Sequence, residues 1–120
     1  MSDDSRHLLG RRGEDLAAEH LERLGYAIVA RNHRTRYGEI DVIAADAQTL
    51  VIVEVKSRRG RGRPWDSLDE RKRLQVRRMA RAYLGVPDRP RRPNLRFDAI
   101  GVTFDAAGRL ASLDHLEGAF

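Results

Sequence analysis

The chain of 120 residues contains no cysteine. That excludes a disulfide framework, a thiol nucleophile and a Cys-ligated zinc, and it makes a reducing, cytoplasmic setting the natural expectation. No apolar run comes near the roughly 20 residues a membrane span needs, so no membrane partner is expected. The opening, MSDDSRHLLGRRG, carries acids early and no apolar stretch, which is not the pattern of a secretory signal. Aromatic residues make up 6% of the sequence, too few for a platform on which successive bases of a single strand stack. Lysine is scarcest of the charged types: of the 23 basic residues, only Lys56 and Lys72 are not arginine. A genome rich in arginine codons accounts for the skew. It leaves open what an arginine could not do at those two positions.

What is present fits one domain of residues 1–120, since two independent cores are unexpected at this length. With 41% hydrophobic residues the chain can build a core, while 34% charged residues keep its surface polar. The net charge of +5 hides a strong asymmetry. Residues 56 to 96 hold 15 basic and 4 acidic side chains, a balance of +11, and the remainder holds 8 basic and 14 acidic ones. A basic half joined to an acidic half is the footprint of a protein that meets a polyanion.

Helical periodicity predicts a first helix from about Arg6 to Leu24, stopped by Gly25. Gly10, Gly13, Ala17, Leu21 and Leu24 share one face of it, with Glu14 on the margin. Tyr26 to Arg31 reads as a strand, Asn32 to Gly38 as a polar turn, and Glu39 to Ala45 as a second strand. Thr49 to Lys56 reads as a third strand, apolar on both faces and therefore central. Ser67 followed by Glu70 has the form of a capping box. The helix it opens carries Val76, Met79, Ala80, Tyr83 and Leu84 inward. Leu95 to Phe104 reads as a further strand, and a turn at 105–108 leads into a short terminal one, Arg109 to Leu113. The prediction is an α/β domain with a mixed central sheet flanked by helices, its core within residues 6–104.

Charges interrupt this pattern where a core should be. Glu54 and Lys56 break a run of Val and Ile in the most buried strand and, being two apart, project from one face. Asp41 breaks Ile40, Val42 and Ile43 in the neighbouring strand. If the hairpin between these strands encloses an even number of residues, every cross-strand pair joins an odd to an even position, and Asp41 falls on the face of Glu54 and Lys56. Two carboxylates that close repel unless a cation sits between them. Mg²⁺ suits the role, since it takes oxygen ligands and keeps several waters. A lysine beside such an ion can hold or help deprotonate a water, because its compact ammonium shifts its pKa more readily than a guanidinium. The structural alternative is a Glu54–Lys56 ion pair that ties the sheet together, which leaves Asp41 unexplained. Glu14 joins this set if the first helix packs on that end of the sheet, and is otherwise a solvated helix-margin acid. Glu39 is an outer-shell candidate or a strand-end charge, and Gly38 serves the turn.

An acid on one strand followed by E-x-K on the next resembles the active site of the PD-(D/E)xK nuclease superfamily. The ordered set G-x-x-x-E (Gly10 to Glu14), L-G-Y (Leu24 to Tyr26), A-R-N (Ala30 to Asn32), G-E-I-D (Gly38 to Asp41), V-E-V-K (Val53 to Lys56) and R-F-D (Arg96 to Asp98) resembles the YraN family. Its members are small bacterial proteins predicted to be endonucleases and related to archaeal Holliday-junction resolvases. The resemblance spans residues 8 to 104. It implies a restriction-endonuclease-like αβββαβ core, metal ligation by Asp41 and Glu54, a catalytic lysine at Lys56 and a helix glutamate at Glu14. The proline usual before the first acid is replaced by Ile40.

The expected activity is Mg²⁺- or Mn²⁺-dependent hydrolysis of phosphodiester bonds in branched or otherwise structured DNA, and a homodimer would suit two symmetric cuts. Arg58, Arg59, Arg61 and Arg63 follow the catalytic strand directly, and Lys72, Arg73 and Arg77 lie on the second helix. All seven are candidates for phosphate contacts, which give affinity without sequence readout. Trp65 suits stacking on an opened base or packing in the core. The four histidines show no ligand spacing and carry no assignment. The alternative is a DNA- or RNA-binding module without turnover on the same scaffold. A third reading is a partner for an acidic protein surface.

Overall fold

The computed structural model describes residues 3–60 and 68–120, and side chains from Arg6 onward. Helix α1 spans Asp3–Arg23 and strands β1, β2 and β3 span Ala27–Thr35, Gly38–Ala45 and Thr49–Arg59. Helix α2 spans Glu70–Leu84, and strands β4 and β5 span Asn94–Phe104 and Leu110–Leu116. The strands form one sheet in the order β1-β2-β3-β4-β5. β3 and β4 run parallel and the other neighbours antiparallel, so α2 is the crossover that a parallel pair requires. This is the expected αβββαβ order with a fifth strand added at the edge.

The helices cover opposite faces. α1 contributes Ala17 and Leu21 to a cluster with Val42, Ala44, Val51, Val53, Ile100, Val102 and Phe104. α2 contributes Val76, Met79, Ala80 and Tyr83 to a second cluster with Ile43, Ala45, Leu50 and Ile52. β3 feeds both clusters with alternate residues, which is why its apolar run is continuous. Gly13 brings α1 close: a Cβ there would collide with Ser57 Oγ of β3. Gly10, one turn earlier, faces open space. Gly25 ends α1 at φ +99°, and the Tyr26 N–H bonds back to Leu21 O at 3.0 Å.

Several boundaries differ from the sequence reading. α1 stops at Arg23, and Leu24, expected on its inner face, is 53% exposed. β1 does not end at Arg31 but runs to Thr35, and a two-residue turn joins it to Gly38. The strand passes through Asn32 in left-handed backbone (φ 51°), a conformation asparagine accepts more readily than most residues. The cap of α2 is Asp69, whose Oδ1 accepts from the Lys72 N–H at 2.9 Å. It stands in place of the expected Ser67, which lies outside the described residues. β3 continues three residues beyond Lys56 to Arg59, and β5 runs to Leu116. Among the described residues, no helix is long and apolar enough to cross a membrane.

Candidate functional site

The β2–β3 hairpin sets the geometry. Its innermost pair, Ala45 with Leu50, encloses four residues, and every pair out to Val42 with Val53 joins an even to an odd position. One step further, where Asp41 and Glu54 come next, the two strands are bridged by a side chain: Asp41 Oδ2 accepts from the Val55 N–H at 2.7 Å. Ile40 packs in the α2 cluster and Val42 in the α1 cluster, so strict alternation slips at Asp41. Asp41 therefore sits at the rim between the two faces of the sheet rather than squarely on the face of Glu54.

From that rim Asp41 lines an open cleft of about 740 Å³ on the α1 side. Arg6, His7, Gly10, Arg11 and Glu14 come to it from α1, Asn32 and Arg34 from β1, and Glu39 from β2. Glu14 Oε1 accepts from Asn32 Nδ2 at 3.0 Å and stands 4.0 Å from the Arg31 guanidinium. Glu39 is exposed and pairs loosely with Arg34 at 3.9 Å. Glu54 turns towards α2, where its Oε1 meets Lys72 Nζ at 2.8 Å. Lys56, two residues on, is exposed.

The electrostatics of Asp41 report this crowding. Burial, then the Glu54 carboxylate, push its pKa up to about 8, with a smaller push from Glu14. The Val55 N–H and the Lys72 ammonium act in the opposite sense. Asp41, Glu54 and Glu14 thus share one field, yet among the described residues no three His, Asp or Glu side chains gather into a ready metal cage. The donors present are the Asp41 and Glu14 carboxylates on an open cleft, with Glu54 close enough to act on Asp41 from the side of Lys72. That set fits a hard divalent cation bound through one or two carboxylates with waters filling its remaining positions.

The basic candidates scatter. Arg59 and Arg73 are exposed, and Arg58 is half-buried. Arg77 lies over the Phe97 ring, 5.4 Å from its centroid. Arg61, Arg63 and Trp65 lie outside the described residues. Lys72, a candidate phosphate contact from sequence, pairs with Glu54 at 2.8 Å. The arginines that do line the cleft, Arg6, Arg11 and Arg34, carry no assignment from sequence. The signal was there: Arg6, Gly10 and Glu14 are spaced by four, as are His7 and Arg11, and so rise along one flank of α1.

A second polar cluster went unseen. Asp98, fully buried, accepts from Arg96 through both carboxylate oxygens at 2.9 Å and from the Gly118 N–H at 3.1 Å. His115 Nε2 lies 2.8 Å from Asp98 Oδ2, and its Nδ1 lies 3.0 Å from His20 Nε2 of α1. Arg96 also donates to the Tyr26 hydroxyl at 2.8 Å. Burial pushes Asp98 up, but the hydrogen bonds from Arg96, His115 and Gly118 together hold it below the usual carboxylate range. The six signature segments thereby divide. G-x-x-x-E, A-R-N and G-E-I-D line the cleft, V-E-V-K adjoins it through the Val55 N–H on Asp41, and L-G-Y and R-F-D meet each other as internal scaffold.

A five-stranded mixed sheet between two helices, with an acid and an E-x-K segment meeting at the open end of its central hairpin, defines an α/β domain compatible with a restriction-endonuclease-like core. The uncharacterised protein family UPF0102 matches residues 13–102. The UPF0102 protein of Pelotomaculum thermopropionicum is 43% identical over 119 residues, 98% of each chain. That of Nocardia farcinica is 46% identical over 114 residues, covering 93% of this chain and 88% of its own. That of Chlorobium limicola is 41% identical over 124 residues, covering 98% and 95%. The chain belongs to the UPF0102 family, which is the YraN family.

Proposed function

We propose that this chain is a nuclease that hydrolyses phosphodiester bonds in branched or structured DNA, with Mg²⁺ or Mn²⁺ as its cofactor. The observation that carries the reading is Asp41, buried beside the charge of Glu54 and opening with Glu14 onto an arginine-lined cleft. Asp41 keeps its proton beside the Glu54 charge, and a cation between them would let both carboxylates ionise. Asp41 and Glu54 would hold the ion, with Glu14 supporting it from α1. When bound, the ion supplies polarisation of the phosphodiester and stabilises the charge that develops on its oxygens. The other tasks fall to the chain's own groups. Asn32 fixes the Glu14 carboxylate. Lys56, exposed two residues beyond Glu54, positions the attacking water or a phosphate oxygen. Arg6, Arg11 and Arg34 hold the sugar–phosphate backbone in the cleft. A homodimer of such domains would place two cuts symmetrically.

Cleavage of branched and linear DNA in Mg²⁺ or Mn²⁺, by wild type and by Lys56→Ala, tests the reading. Cutting that stops in EDTA and with Lys56→Ala supports it, and identical behaviour of the two proteins on every substrate and metal overturns it. The Glu54–Lys72 ion pair favours a second reading, because it satisfies Glu54 without any metal. The chain would then be a DNA- or RNA-binding module without turnover. Its binding would be salt-sensitive, indifferent to EDTA and retained in Asp41→Asn.

A further inference from the structure

The two lysines of this arginine-rich chain stand on either side of Glu54. Lys56 follows it by two residues in β3, and Lys72 reaches it from the first turn of α2. The Glu54 side chain is only 14% exposed, and the Lys72 ammonium at 2.8 Å is its counter-charge. That ammonium is itself aimed. Lys72 Nζ donates to Gln75 Oε1 at 3.3 Å, and Gln75 Nε2 donates to the Tyr37 carbonyl at 2.9 Å. Gln75 passes over Gly38, where a Cβ would come within 2.8 Å of Nε2 and the backbone is at φ +135°. Gly38, Gln75 and Lys72 thus form a chain of contacts that ends on the carboxylate. Lys72, Gln75 and Tyr37 also line a second cleft, of about 410 Å³, completed by Asp69, Arg71 and Arg78.

We propose that Lys72 is a tethered counter-cation of the Asp41–Glu54 centre: it holds Glu54 while no divalent ion is bound, then yields it and joins Arg71 and Arg78 as a phosphate grip in the α2 cleft. The inference rests on the metal-dependent reading above. A lysine suits the exchange, since a compact ammonium on a flexible stem releases a carboxylate more readily than a bidentate guanidinium does. Lys72 becomes the link between ion binding and nucleic-acid binding, and linkage makes that coupling reciprocal.

Titration calorimetry with Mn²⁺ on the full chain, and anisotropy with a short DNA duplex in EDTA and in Ca²⁺, test the exchange. Lys72→Met is expected to bind Mn²⁺ roughly five- to tenfold tighter than wild type, because the ion no longer displaces a partly buried ion pair. The same variant is expected to lose the tightening on DNA that Ca²⁺ confers on wild type. Equal or weaker Mn²⁺ binding by Lys72→Met, with wild type binding normally, overturns the role of Lys72 and leaves the metal centre standing. Absence of Mn²⁺ binding in wild type overturns both. If Lys72→Met loses its fold by circular dichroism, Lys72→Arg replaces it. The guanidinium should clamp Glu54 and weaken Mn²⁺ binding, and unchanged Mn²⁺ affinity overturns the proposal.

Discussion

Asp41 concentrates the unusual chemistry of this chain in one side chain. Burial and Glu54 push its pKa up to about 8, so the folded protein holds a proton that the unfolded chain releases near pH 4. Between those values the folded state binds more protons. Its contribution to stability is complete below the unfolded pKa and is lost as pH rises through about 8. Asp41→Asn keeps an acceptor for the Val55 N–H and cannot ionise. In metal-free buffer it should gain on the order of 1–3 kcal/mol over wild type between pH 6 and pH 9, read by urea unfolding. A difference that stays flat with pH would contradict this. Asp98 behaves oppositely. Its pKa is held low, so its contribution is present above the unfolded value and lost as pH falls through the folded one. Asp98→Asn leaves the Arg96 guanidinium only the looser Glu117 carboxylate at 3.6 Å as counter-charge and should cost about 3–5 kcal/mol near neutrality by the same measurement.

At the scale of elements, the fit of α1 on β3 turns on Gly13. Alanine is the better helix former by ~1 kcal/mol, yet Gly13→Ala is expected to destabilise by roughly 1–3 kcal/mol because its methyl meets Ser57. Ser57→Gly in the same chain should recover most of that loss in thermal unfolding, and a neutral Gly13→Ala would refute the contact. Most of the element order was legible beforehand, because α2 and the three central strands carry strong apolar periods. The hairpin meets the even-closure condition set from the sequence, but the slip in alternation at Asp41 moves that residue to the rim instead of the face of Glu54. What escaped depended on single backbone choices or on distant partners. Asn32 lets β1 continue by adopting a left-handed conformation, where a polar run read as a turn. His20 and His115 are 95 positions apart, and only the packing of α1 against the β4–β5 edge makes them neighbours. Asp69 and Ser67 are equally good caps by type, and the fold uses Asp69.

Over the whole molecule, the +11 stretch from Lys56 to Arg96 is the sequence feature that points to a polyanion. Among the described residues the charge is distributed differently. One lysine of that stretch is consumed internally by Glu54, and the cleft at the carboxylates draws its arginines from α1 and β1, in the part of the sequence that is acidic overall. Composition registers that a polyanion is expected but not which face meets it. Binding to a DNA duplex should fall by roughly two to three decades between ~50 and ~200 mM salt if about five phosphates are contacted. Arg11→Ala should flatten that slope by about one contact, measured by anisotropy, whereas an unchanged slope would take Arg11 out of the interface.

Asp41, Glu54 and Lys56 are the proposed hydrolytic centre. Single-turnover cleavage of a four-way DNA junction, beside a linear duplex of the same sequence, with Mn²⁺ or Mg²⁺ tests it most directly. Wild type is expected to cut, to stop in EDTA, and to lose at least ~100-fold in rate with Asp41→Asn or Lys56→Ala while both variants stay folded. A wild type that binds these DNAs tightly and cuts none of them with either metal would contradict it.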